Sequence, residues 1–134
     1  MQAIMLNTSA PQVVTHHENF TGLLDFAYKA IGCDCIEIVH PINLPEPYTM
    51  IVDESGALKN LPINPIASVL YGTPTHGWPI VGKAMIMKEA ITNDGPDIVS
   101  LDDSDFAIVN GIIEKEVSKI KARKEGWEEE YEDY

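Results

Sequence analysis

The loop from Tyr71 to Trp78 gathers side chains that could recognise a nucleotide. The rings of Tyr71 and Trp78 could stack on a base, and His76 between them could meet a phosphate group. The two glycines of the loop would let a ligand approach the backbone closely. A structural role is an equal alternative, in which Trp78, placed between a glycine and a proline, fills the end of a sheet.

Residues shortly before this loop complete the predicted site. Asn64 stands at the start of a short helix, where backbone N–H groups without partners attract anions. A nearby cation, Lys59 or Lys83, could offset the charge of a phosphate. The sequence favours Asn64 as the N-cap of the helix, because the proline that follows it suits the first helical position, and a ligand-facing amide is the alternative. We predict a ligand-binding site formed by Lys59, Asn64, Tyr71, His76 and Trp78.

The sequence contains no pattern typical of a catalytic or metal site. Its histidines lie in three separate segments, away from any nucleophile motif or metal-ligand spacing; they are the adjacent His16 and His17, then His40 and His76. Asp53 and Glu54 are adjacent, so a strand would direct them to opposite faces and they would not form an acid–base pair. Turn chemistry explains Asp53 without any catalytic role. We therefore expect a protein that is not an enzyme and has no catalytic residue, metal or cofactor.

The charge of the chain is strongly negative and unevenly distributed. The 134 residues carry 21 acidic and 9 basic side chains, a net charge of −12, and six of those acids lie in the last ten residues. Such a chain is repelled by the phosphates of nucleic acids, so we expect no direct nucleic-acid binding. We predict one domain over residues 1–124 and an acidic, flexible tail over residues 125–134. Its aromatic residues among acids favour an interaction tail as the alternative.

The length and hydropathy of the chain predict a single globular domain. No apolar run approaches the roughly 18 residues that a membrane-spanning helix needs. The first six residues lack the positive charge that begins a signal peptide. We expect no membrane association and a cytoplasmic location.

Hydrophobic periodicity predicts an α+β fold. We expect strands at residues 2–6, 13–17, 35–40, 48–52, 80–87 and 98–101, and a hairpin return over residues 57–61 after the Ser55-Gly56 turn. A helix should begin after Asn19 or Thr21 and end at Gly32, and a long amphipathic helix should run from about residue 105 to Gly126. The prediction is a mostly antiparallel sheet of five or six strands, with the two longer helices packed on one face.

The order of several short segments carries a family resemblance. The segments are Ile36-Glu37-Ile38-Val39, then Met50-Ile51-Val52-Asp53-Glu54-Ser55-Gly56-Ala57-Leu58-Lys59, then Leu61-Pro62-Ile63-Asn64, and finally Ile80-Val81-Gly82. From about residue 22 to residue 111 the chain resembles the domain of unknown function 3846 family, small domains carried by bacteriophages and other mobile elements. The resemblance implies a phage or mobile-element origin and an α+β fold, and it implies no assigned activity.

Two functions are compatible with such an origin. In the first, the protein binds and sequesters a nucleotide-type immune messenger of the host, in a site enclosed by a second subunit of a homo-oligomer. In the alternative, it is an acidic protein that mimics nucleic acid and inhibits a host defence protein. A messenger-binding protein should be stabilised by its ligand and should tolerate removal of residues 125–134. A nucleic-acid mimic should bind a basic protein in a salt-dependent way and should need the tail.

Overall fold

In the part of the chain that the structure describes, six antiparallel strands form a central sheet. The computed structural model describes residues 2–6, 13–17, 28–33, 35–73, 79–93 and 95–130. The strands are β1 (Gln2–Leu6), β2 (Val13–His17), β3 (Ile36–Val39), β4 (Tyr48–Asp53), β5 (Ala84–Thr92) and β6 (Gly95–Val99). The described helices are a π-helix (Tyr28–Gly32), α1 (Pro65–Tyr71) and α2 (Asp103–Glu130). The predicted α+β class and antiparallel sheet are confirmed.

The sheet is ordered β2-β1-β5-β4-β3, and the neighbouring strands along this path are antiparallel. β6 pairs with the second half of β5, from Lys88 to Thr92. Lys88 lies opposite Tyr48 of β4 and also opposite Val99 of β6, so β6 occupies the same edge of β5 as β1 does. The path therefore ends in β2 on one side and in β3 on the other.

Alternate residues of the central strands contribute to two separate cores. On β4, Met50 and Val52 belong to the core shared with α1 and α2, whereas Ile51 belongs to the core shared with the π-helix. All six residues of β4 are buried, because the sheet is covered on both faces. The first core also contains Ile4, Leu6, Ile66, Leu70, Ile86, Val109 and Ile113. The second contains Ala3, Met5, Ile31, Met85, Met87 and Ile98.

The helices are distributed over the two faces differently from the prediction. The face that carries α2 also carries the short α1, through Ile66 and Leu70. The described end of the first predicted helix, the π-helix, packs on the opposite face through Ile31. Gly32 ends this helix with a φ of 78°, as its sequence position predicted. α2 continues through Gly126, where we predicted its end, as far as Glu130.

Residues 54–60 form a series of turns, so the predicted hairpin return over residues 57–61 is wrong. The Asp53 side chain accepts a hydrogen bond from the backbone N–H of Ser55 at 2.9 Å, which bends the chain as soon as β4 ends. Further turns follow, with Lys59 N donating to Ser55 O at 3.1 Å. Asn60 has a φ of 57°, in the left-handed region that Asn tolerates better than most residues.

Tyr48, Lys88 and Asp105 attach the beginning of α2 to the sheet. The carboxylate of Asp105 accepts a hydrogen bond from the Tyr48 hydroxyl at 2.8 Å and another from Lys88 Nζ at 2.6 Å. It also accepts from the backbone N–H of Asp102 at 2.8 Å, and the Asp102 carboxylate accepts from the backbone N–H of Asp105 at 2.9 Å. This exchange is the pattern of a capping box. One buried carboxylate thus serves both the sheet and the helix start.

These contacts shift the pKa values of the three side chains. Burial alone would raise the pKa of Asp105, but the hydrogen bonds from Lys88, Asp102 and Tyr48 outweigh burial and lower that pKa to about 2. Burial, together with the Asp105 carboxylate, raises the pKa of Tyr48 to about 12. The hydrogen bond to Asp105 raises the pKa of Lys88. At neutral pH, Asp105 is therefore ionised while Tyr48 and Lys88 keep their protons.

Candidate functional site

Asp53 and Lys59 form an ion pair at the point where β4 enters the turns. Lys59 Nζ donates to Asp53 Oδ2 at 2.7 Å, while the other carboxylate oxygen accepts from Ser55 N. The Asp53 side chain is 2% exposed, whereas that of Lys59 is 41% exposed. The turns fold the lysine back over the buried acid, which ties the position of its ammonium group to the end of the strand.

A second lysine is held close to this pair by the segment that leads into β5. Gly82 N donates to Pro62 O at 2.8 Å, and Asn64 N donates to Ile80 O at 2.8 Å, so the segment before Lys83 runs beside the segment before α1. Gly82 has a φ of 78°, and a Cβ atom there would lie 2.8 Å from Leu61. Only glycine fits this position without displacing the Leu61 side chain, and this Gly82 directly precedes Lys83.

The two lysines line one pocket of about 220 Å³, which we call the lysine pocket. Its walls come from the end of the π-helix, the turns after β4 and the segment before β5. The lining residues are Ile31, Gly32, Asp53, Lys59, Leu61, Pro62, Gly82 and Lys83. With two ammonium groups against one carboxylate, the lining carries a local positive charge on a protein whose net charge is −12. The pocket is suited to an anion.

A groove of about 240 Å³ lies against the other face of the sheet end, and we call it the acidic groove. Glu37, Asp53 and Glu54 are its charged lining residues, and Tyr71, at the end of α1, contributes the aromatic ring. The rest of the lining is apolar: Val39, Val52, Ala57, Pro79, Ile80 and Val81. With no cation in the described lining, this groove is suited to a positively charged group.

The two concavities use opposite faces of the sheet. Val52 belongs to the core under α1 and lines the acidic groove. Ile31 belongs to the core under the π-helix and lines the lysine pocket. Asp53 lines both, because it is the last residue of β4 and stands between the two faces. Its carboxylate is directed to Lys59, on the side of the lysine pocket.

The structure separates the predicted site residues that it describes. Lys59 lines the lysine pocket, and half-buried Tyr71 lines the acidic groove, so these two residues do not share a cavity. His76 and Trp78 lie outside the described residues, and their proposed contacts with a ligand stay predictions. Asp53 lines both concavities and holds Lys59 in place, although the sequence presented it only as a turn residue.

Asn64 occupies the capping position that its sequence context favoured. Its Oδ1 accepts from Ala67 N at 3.1 Å, and its Nδ2 donates to Leu6 O and Gly82 O, both at 2.9 Å. The side chain is fully buried. These three hydrogen bonds join α1, β1 and the segment before β5, so the amide holds the framework behind the lysine pocket together and does not line it.

The residues that the structure describes contain no cluster of three histidine, cysteine, aspartate or glutamate side chains that could hold a metal ion. In the same part of the chain, every helix is too short or too polar to span a bilayer.

Comparison with known proteins identifies a family and nothing more specific. Residues 1–114, most of the chain and all of the strands, match the family described as Domain of unknown function (DUF3846). No curated protein and no solved structure shows significant similarity to the chain.

Proposed function

The chain belongs to the family described as Domain of unknown function (DUF3846), and from the lysine pocket we propose that it binds and sequesters a phosphate-bearing, nucleotide-type small molecule without converting it. The observation that carries this proposal is the convergence of Lys59 and Lys83 on one compact pocket. Two ammonium groups provide several charge-assisted donors to phosphate oxygens, which are stronger than neutral hydrogen bonds.

The backbone around the lysines supports a close approach by a phosphate. Gly32 and Gly82 both line the pocket with φ values of 78°. A Cβ atom at Gly32 would meet nothing within 4 Å, so the absence of a side chain there leaves open space beside the pocket. Apolar atoms of Ile31, Leu61 and Pro62 form the remaining wall and suit the sugar or base of a nucleotide.

The volume of the lysine pocket supports enclosure by a second copy of the chain. Sites for drug-sized ligands usually measure roughly 300–1,000 Å³. A pocket of about 220 Å³ accommodates the phosphate-bearing end of a nucleotide and leaves the rest outside. The proposal therefore includes a homo-oligomer in which a neighbouring subunit covers the exposed end of the ligand. Light scattering with and without ligand measures this directly.

Binding without chemistry is the second part of the proposal. The described lining of the lysine pocket includes no histidine, cysteine or hydroxyl side chain. The Asp53 carboxylate accepts hydrogen bonds from Lys59 and Ser55 N, and its side chain is only 2% exposed, so both oxygens serve the ion pair and the turn. In a phage setting, such a protein would lower the free concentration of an immune messenger in the host cell by binding it intact.

The test is a thermal-shift and calorimetry panel of cyclic mononucleotides, cyclic dinucleotides and ADP-ribose-type compounds, with inorganic phosphate as the reference. A ligand at 100 times its Kd should stabilise the fold by about 2.7 kcal/mol. The Lys83→Gln variant should bind at least tenfold more weakly, because a charge-assisted hydrogen bond is worth about 1.5–3 kcal/mol. Lys115→Gln, at an exposed position on α2, is the matched control.

Mass spectrometry of the bound fraction completes the test. The compound should be recovered intact after incubation, and removal of residues 125–134 should leave its affinity unchanged. Turnover of the compound would refute the claim of binding without chemistry. Equal affinity in the Lys83→Gln and wild-type proteins would place the binding site away from the lysine pocket.

A further inference from the structure

β3 leaves one side without a partner strand among the described residues. On its other side, β3 pairs with β4, with Glu37 opposite Val52 and Val39 opposite Met50. The backbone N–H of Glu54 donates to Cys35 O at 3.1 Å, which shows that the pair preceding β3 is hydrogen bonded. Bonded pairs alternate in an antiparallel ladder. Glu37 and Val39 therefore bond to β4, and the N–H and C=O groups of Ile36 and Ile38 point outward.

The side chains of β3 give its two faces different chemistry. Glu37 and Val39 line the acidic groove, whose rim also includes Glu54. Ile36 and Ile38 stand on the opposite face, and Ile38 is 39% exposed. An extended segment placed along this edge would thus meet carboxylates and an apolar floor on one face and isoleucine side chains on the other.

A second copy of this chain is a poor match for the edge. In the register that sets Ile36 opposite Ile38 of the other copy, Glu37 would lie directly opposite Glu37. Like charges directly opposite each other destabilise a strand pair. A basic segment meets the same edge with complementary charge, and the aliphatic parts of its lysines can lie on Val39 and Val52.

We propose that β3 accepts an extended basic segment of another protein as an added antiparallel strand, with lysine or arginine side chains over the acidic groove and apolar side chains against Ile36 and Ile38. Backbone hydrogen bonds would supply the affinity and the alternating pockets the specificity, as in other cases of strand addition. The surface goes beyond the proposed small-molecule binding, because no residue of β3 lines the lysine pocket. It also gives an acidic inhibitor of a host protein a defined place of contact.

The test uses a capped, fluorescein-labelled eight-residue peptide of alternating lysine and valine, titrated with the full-length protein. Residues directly opposite in an antiparallel pair share a face, so the valines should stand opposite Ile36 and Ile38 and direct their N–H groups to β3. N-methylation of the valine amides should weaken binding at least tenfold. N-methylation of the lysine amides, which point away from β3, should leave it within about twofold.

Charge provides an independent part of the test. A glutamate–valine peptide should not bind, and Glu37→Gln should weaken the lysine–valine peptide about threefold. Glu114→Gln, at an exposed position on α2, should leave the affinity unchanged. Equal effects of the two N-methylation patterns would overturn strand addition, as would a lysine–valine peptide that fails to bind. Because Lys83→Gln should not affect the peptide, failure here is distinguishable from failure of the small-molecule proposal.

Discussion

The ion pairs Lys88–Asp105 and Lys59–Asp53 have nearly the same length, 2.6 and 2.7 Å, but they differ in their surroundings. The carboxylate is buried in both, with 10% of the Asp105 side chain and 2% of the Asp53 side chain exposed. The lysines differ. Lys88 is 22% exposed and is held among Asp105, Asp102 and the strands, whereas Lys59 is 41% exposed and lines a pocket.

This difference separates a structural ion pair from one that a ligand can reach. In the first pair, Tyr48 and the backbone of Asp102 add hydrogen bonds to the same carboxylate, so the network is closed around the start of α2. In the second, the buried Asp53 carboxylate holds the ammonium group of Lys59, which is 41% exposed and lines the same pocket as Lys83. A buried acid with a partly exposed lysine is therefore the arrangement that positions a cation for an incoming anion.

Replacement of Asp105 by alanine should have the largest effect on stability. The change removes the acceptor for Tyr48, Lys88 and Asp102 N together, and it leaves a partly buried ammonium group without its main partner. Breaking such a pair costs about 3–5 kcal/mol, measured as the free energy of unfolding in urea. Asp103→Ala, at the exposed neighbouring position, should change it by less than about 0.5 kcal/mol. A loss for Asp105→Ala as small as for Asp103→Ala would show that the network is not structural.

The fall in unfolding free energy at acidic pH, which we call the acid limb, should report the network of Asp105, Tyr48 and Lys88. The folded pKa of Asp105 is about 2, below the ordinary value of 3.8, so the unfolded chain takes up this proton first as the pH falls. Its contribution is fully present above about pH 4 and is lost as the pH approaches 2. The shift corresponds to about 2 kcal/mol of unfolding free energy.

Urea titrations at a series of pH values measure this loss. The Asp105→Asn variant should lack that part of the acid limb, because position 105 then carries no titrating group. An unchanged acid limb in Asp105→Asn would assign the loss to other carboxylates. Asp53→Asn, which keeps the turn to Ser55, is the comparison variant from the second ion pair.

Much of the fold follows from local features of the sequence. The strands at residues 2–6, 13–17 and 48–52 were predictable from apolar runs and their bounding turn residues, and the start of α1 from Asn64 and the proline after it. The turns over residues 57–60 were not, because Lys59 N and Asn60 N donate to Ser55 O and Ala57 O within the segment and not to a partner strand. The face chosen by the first helix depends on contacts with Ile51, Met85 and Met87, which are distant in sequence.

The site was less predictable because it depends on which strand residues direct their side chains to which face of the sheet. Lys59 and Tyr71 are 12 positions apart, and their segments pack on opposite faces since Val52 and Asp53 point in opposite directions. A single-residue change in register would exchange those faces. Lys83 carried a usable signal, a cation after a glycine at the start of a strand, but the tertiary hydrogen bonds of Gly82 and Asn64 were needed to bring it into the same pocket as Lys59.

The smallest expected effect on stability distinguishes the two ion pairs most sharply. Lys59→Met removes the ammonium group from Asp53 and leaves that carboxylate with the Ser55 N–H. The loss should be about 1–2 kcal/mol, less than for Asp105→Ala, because Lys59 is 41% exposed and solvent already weakens the pair.

The double variant Asp53→Asn/Lys59→Met should regain most of the loss, since no buried charge is then left unpaired. Both variants should still bind the phosphate-bearing ligand more weakly than the wild type, because each lacks one of the two pocket cations. Recovered stability without recovered affinity would assign Lys59 to the ligand. A loss for Lys59→Met as large as for Asp105→Ala, with affinity unchanged, would instead show that both lysine–aspartate pairs are structural.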